Sequence, residues 1–116
     1  MSTIEHEEKK MIIKMDEIYV ESEDMIIGAM LYLNEEGMKT KFLGFNQHNR
    51  AIIEIDEVPY SIVNKGTSGR GLDMTQVFDL SQTDVPVNPE KTPQKVSFIS
   101  RKYAFHYEKK FGKPVQ

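Results

Sequence analysis

The residues best suited to chemistry sit at the C-terminal end. Arg101, Lys102, Lys109, Lys110 and Lys113 interleave with Phe98, Tyr103, Phe105, Tyr107 and Phe111. Cations neutralise phosphate, and flat rings stack on exposed bases, so a nucleic-acid surface needs both. On that reading Arg101, Lys102, Lys109 and Lys110 contact phosphate while Tyr103 and Tyr107 stack. The competing reading makes the rings core and the lysines solvated, because a small barrel needs large apolar side chains. A second candidate is Lys65-Gly66-Thr67-Ser68-Gly69-Arg70-Gly71. Glycines can turn successive N–H groups to one side as an anion nest, and Lys65 and Arg70 would add charge. The loop matches neither G-x-x-x-x-G-K-[ST] nor G-x-G-x-x-G, and Asp73 just after it would repel an anion. A polar loop, Asn46-Gln47-His48-Asn49-Arg50, is a third and weaker candidate.

Other chemistry is poorly served. The chain has no Cys, which removes thiol nucleophiles, disulfides and Cys-based zinc sites. His6, His48 and His106 lack an H-x-x-x-H spacing, and no G-x-S-x-G elbow is present. The expectation is a protein without catalytic residues, metal or cofactor.

Charge is unevenly distributed. The formal net charge of −3 comes from 15 Lys plus Arg and 18 Asp plus Glu in 116 residues. Residues 1–40 hold 10 acids and 4 bases, whereas residues 91–116 hold 7 bases and one acid, Glu108. A basic end on an acidic body suits an anionic partner, or it lies against the protein's own acids. The longest apolar run, residues 25–33, is far short of the ~20 residues a spanning helix needs. With an acidic start and no Cys, the chain is expected to be cytoplasmic and away from membranes.

The elements that must carry these residues read mainly as β. Residues 1–9 are polar and expected to fray. Residues 4–20 fit either a helix, with Met11, Met15, Ile18 and Tyr19 on one face, or two short strands. Residues 25–33 read as a buried strand, and Asn34-Glu35-Glu36-Gly37 as a hairpin connection to a strand over 38–45. Ala51, Ile53 and Ile55 alternate in a strand over 50–56, and 60–63 is another. Asp73 as N-cap with Met74, Val77 and Phe78 suggests a two-turn helix near 74–80. Residues 81–94, with Pro86, Pro89 and Pro93, read as a connection. Residues 96–99 read as a strand. Over 100–111 the ending favours a helix and the aromatic alternation a strand, and the balance tips to strand for 101–107.

These elements give one domain over residues 1–116, α+β and mostly β: a small antiparallel barrel or pseudobarrel with one or two short helices. A chain of this size, with a short helix and a basic aromatic end, resembles the PUA-type RNA-binding pseudobarrels. More narrowly, residues 25–111 are similar in pattern to small regulators of that fold carried by Gram-positive conjugative plasmids, which limit the toxicity of pheromone-induced surface proteins. The resemblance implies a cytoplasmic, non-enzymatic RNA-binding regulator whose surface would use Lys65, Arg70, Arg101, Lys102, Tyr103, Tyr107, Lys109 and Lys110. The alternative is a protein-interaction or homo-oligomeric accessory module of a phage or mobile element, without nucleic-acid binding.

Overall fold

The computed structural model describes residues 2–112. Six antiparallel strands form one sheet: β1 (Thr3–Glu7), β2 (Lys10–Met15), β3 (Thr40–Phe45), β4 (Ala51–Ile55), β5 (Val58–Ser68) and β6 (Thr75–Gln82). Their order is β1-β2-β6-β5-β4-β3. The sheet is open, with β1 and β3 at its edges, and does not close into a barrel. Two helices complete the α+β fold, α1 (Ser22–Glu35) and α2 (Pro93–Phe111). At 14 and 19 residues they are longer than the short helices expected. Neither is long and apolar enough to cross a membrane.

The register puts one set of side chains on a single face. Ile13 opposes Phe78, Met11 opposes Leu80, and Leu80 opposes Ile62 in β5. Ile53 of β4 opposes Tyr60 and Phe42. Ile26, Ile27, Ala29, Met30 and Leu33 of α1 and Ile99 of α2 close over that face to form the core.

Several sequence expectations fail. The run at 25–33 is helix, not strand. A continuous apolar run fits a buried helix as well as a buried strand. Here Glu23 and Asp24 favour the N-terminus through the helix dipole, and Met25, Ala29, Met30, Leu31 and Leu33 are good helix formers. Asn34–Gly37 is accordingly the end of α1 and not a hairpin. Gly37, at φ 90°, donates to Asn34 O (3.0 Å) and Met38 to Leu33 O (3.0 Å), a Schellman closure.

The expected helix at 74–80 is strand β6, central in the sheet. Two turns of helix are too few to hold themselves, whereas Gln76, Phe78 and Leu80 alternate into the core. Residues 4–15 form the β1–β2 hairpin, so the polar start pairs as an edge strand. The strands expected at 96–99 and 101–107 are both part of α2. Arg101 and Lys102, badly placed at a helix start, lie two turns inside a helix that begins with Pro93 at N1. Lys109 and Lys110 occupy its last turn, and Gly112 at φ 86° ends it.

β3 and β4 fall close to the strands expected over 38–45 and 50–56, while β5 covers the strand expected at 60–63 and runs on to Ser68, through residues read as a loop. β4 and β5 join through Asp56 and Glu57, both at positive φ (47° and 72°), as a primed hairpin turn requires. Lys39 N–H donates to Asp56 Oδ1 (2.9 Å) and holds that turn. The connection from 83 to 92 lies along β3, where Asn88 N–H donates to Phe45 O (2.9 Å).

Candidate nucleic-acid interface

Helix α2 is apolar or aromatic on two sides. At about 100° per residue, Val96, Ile99, Tyr103 and Tyr107 share the side turned to the body. Ile99 is fully buried, and Val96 and Tyr103 pack against the core. Phe98, Lys102, Phe105 and Lys109 fall within about 60° of one another on a different side, with Arg101 beside them. Phe98 is 47% and Phe105 58% exposed.

Tyr103 is half-buried, not a free stacking ring. Its hydroxyl donates to Asn34 Oδ1 (2.7 Å) and lies 2.9 Å from Thr40 Oγ1. Asn34 Nδ2 donates to Thr40 Oγ1 (3.2 Å). With the Tyr103 proton given to Asn34, the Thr40 hydroxyl donates to the Tyr103 oxygen, and the three groups close a ring. Burial holds the Tyr103 phenol above its ordinary value, partly opposed by those hydrogen bonds to Thr40 and Asn34. Tyr107 is partly buried too, with its ring centroid 6.0 Å from Tyr103 and 4.9 Å from Phe111. These rings line a groove of about 650 Å³ between α2 and the turn from α1 to β3.

The expected cations divide by what faces them. Lys102 Nζ lies 2.7 Å from Asp24 Oδ1, Lys95 Nζ lies 3.8 Å from Glu23 Oε1, and Lys110 pairs with Glu35. All three acids are on α1. The basic end thus packs on the acidic N-terminal part of its own chain. Arg101 and Lys109 are different: among the described residues, no carboxylate forms an ion pair with either. Arg101 Nε donates to Ser97 O at 3.4 Å. Lys109 Nζ sits 5.4 Å from the Phe105 centroid, and Lys102 Nζ 5.7 Å from that of Phe98. Lys110, about a third of a turn from the Phe98–Phe105 stripe, faces α1.

Lys65 and Arg70 lie on strand β5 and the turn after it, not on α2. Lys65 lies within strand β5, and its Nζ is 3.8 Å from Asp79 Oδ2. Arg70 is exposed in the turn after β5, followed by one 3-10 turn (Gly71–Asp73) and strand β6. The helix whose dipole would have supported an anion is absent from that place. In the Asn46–Arg50 loop, Asn46 is buried and its Oδ1 accepts from His48 N (2.9 Å) and Arg50 N (3.1 Å), so it serves the turn. Lys113 lies outside the described residues.

Sequence reasoning missed Phe98 and Phe105 as the exposed rings. Their i, i+7 spacing, repeated by Lys102 and Lys109, was the available signal, and it has meaning only once the segment is helical. Among the described residues, no group of three His, Asp or Glu side chains is placed to hold a metal ion. No protein-family profile, curated protein or solved structure matches this chain.

Proposed function

We propose that the protein is a small non-enzymatic RNA-binding regulator, the role its resemblance to plasmid-borne PUA-type regulators implies. The observation that carries this reading is the outer side of α2. There Phe98 and Phe105 are left exposed beside Arg101, Lys102 and Lys109. Two exposed rings in one row, with cations beside them, offer a contact surface that scattered apolar residues do not. Cations set among them suit a partner that offers both phosphates and flat faces. The site differs from the one expected from sequence, since the rings are Phe98 and Phe105 in place of Tyr103 and Tyr107.

A gel shift with total cellular RNA at low salt tests the reading. Binding is expected, and the double variant Arg101→Glu with Lys109→Glu is expected to abolish it. Absence of binding, or binding unchanged in that variant, rejects the role.

One observation favours a second reading, a protein-interaction module. Three α2 lysines are already matched by acids of α1, which leaves little charge for a polyanion. A partner protein carrying an apolar segment edged with acids would then cover Phe98 and Phe105. Light scattering and pull-down with nuclease-treated lysate separate the two. A complex that survives nuclease and is lost in Phe105→Asp supports the protein partner.

A further inference from the structure

The rings on α2 also bear on which form of RNA the surface takes. Phe98 and Phe105 are seven residues apart, which on a helix is about 10 Å along the axis and about 20° in azimuth. They make one narrow row, 47% and 58% exposed. A phenyl ring has no hydrogen-bonding group and gains nothing from a phosphate. What it can gain is the face of a base, and in a duplex those faces are stacked away inside. The ammonium groups stand at the same two places, Lys102 Nζ at 5.7 Å from Phe98 and Lys109 Nζ at 5.4 Å from Phe105. A base that takes the ring displaces the ammonium sideways, toward the phosphate of the same nucleotide. Arg101 lies between the two ring–lysine units and serves the intervening phosphate.

Resting on the RNA reading above, we propose that the outer side of α2 is a single-strand site. It holds a short unpaired stretch with two bases on Phe98 and Phe105; its phosphates are met by Arg101 and Lys109, with Lys102 shared with Asp24. The charge complementarity is local: Glu108, the one acid of α2, projects about 60° or more from the ring row, and Asp24 of α1 meets the row at Lys102. The groups on this row read no base edge, so the site tolerates sequence and selects for unpaired structure.

The test uses the full chain and one RNA strand of about 12 nucleotides, free or annealed to its complement. Affinity for the free strand is expected to exceed that for the duplex by about tenfold or more. The double variant Phe98→Leu with Phe105→Leu keeps apolar bulk and removes the flat faces. Both positions are exposed, so an unchanged thermal midpoint verifies the fold. This variant is expected to lose the preference, with a drop of about tenfold or more on the single strand and little change on the duplex. If duplex and single strand bind alike and the leucine variant matches the parent, the single-strand site is wrong while RNA binding stands. If neither form binds at low salt, both proposals fall together. If the leucine variant keeps the single-strand preference, the rings do not stack and this inference is overturned.

Discussion

Asp24→Asn is the sharpest perturbation of this surface, because Lys102 is shared between two uses. Its Nζ lies 2.7 Å from Asp24 Oδ1 and also 5.7 Å from the Phe98 ring. Removing the carboxylate charge frees one cation beside the ring row and leaves every basic residue in place. On a single strand each neutralised phosphate contributes about 0.7 to the slope of log K against log salt. The slope should therefore steepen by about 0.7, and affinity at about 0.1 M salt should rise about fivefold relative to a 1 M reference. The folding cost is small. The pair is partly solvated and worth at most about 1 kcal/mol, and the carboxylate's favourable position in the first turn of α1 adds about the same at most. The assay is fluorescence anisotropy on one labelled strand over a salt series. Glu35→Gln is the matched control. It frees Lys110, which faces α1 and not the rings, so slope and affinity should stay as they are. An unchanged slope in Asp24→Asn, or an equal gain in Glu35→Gln, would refute the assignment of Lys102 and Lys109 to one surface.

Two further predictions concern the body of the fold. Tyr103→Phe should cost about 1–2 kcal/mol in urea unfolding, because it breaks the closed ring with Asn34 and Thr40 and leaves Asn34 Oδ1 without its donor; RNA affinity should be unchanged, since Tyr103 faces the core. Stability should also fall at high pH. Burial raises Tyr19 far above its ordinary value of 10.0, helped by its hydrogen bond to Glu17 (2.7 Å), and burial likewise raises Tyr103. Above about pH 10 the unfolded chain loses these protons before the folded one, so the native state binds more protons and stability declines as pH rises. Below that the two states match and these groups add no pH dependence. Urea midpoints from pH 8 to 11, beside Tyr19→Phe, check this; a flat profile contradicts it.

What the sequence disclosed follows from how far each signal depends on contacts elsewhere. The β3–β5 meander was readable because Ala51, Ile53 and Ile55 alternate locally and are paired by short turns. Strand β6 was not. Its alternating row is Gln76, Phe78, Leu80, and a glutamine in a buried row looks like an error until its partner is known. Gln76 is buried because its Oε1 accepts the Tyr19 N–H at 2.8 Å, a contact 57 residues away in sequence. Helix α1 was hidden for the opposite reason. It is apolar nearly all round, since the sheet lies on one side and α2 and Tyr19 on others. Gly28 is where the Tyr19 ring passes; a Cβ there would sit 2.5 Å from its Cζ. The cations of the site were visible in the sequence, but their division was not. That division depends on α1 lying beside α2, which no local pattern encodes.

The division of charge alters what RNA binding can look like. Were all seven bases of residues 91–116 available, affinity for a single strand would drop about nine-hundredfold between about 50 and 200 mM salt. With only Arg101 and Lys109 engaged, the cations beside the ring row that form no ion pair among the described residues, the same change costs about sevenfold, and about twentyfold once Lys102 joins them. Charge then supplies only part of the affinity such a surface has for RNA. On the single-strand reading the larger share rests on stacking at Phe98 and Phe105, worth about 1–3 kcal/mol per base. A shallow salt slope together with strong dependence on those two rings is therefore the signature that separates this site from a generic basic patch. A steep slope would mean that RNA pulls Lys95, Lys102 and Lys110 away from Glu23, Asp24 and Glu35, and that the α1–α2 contact opens on binding.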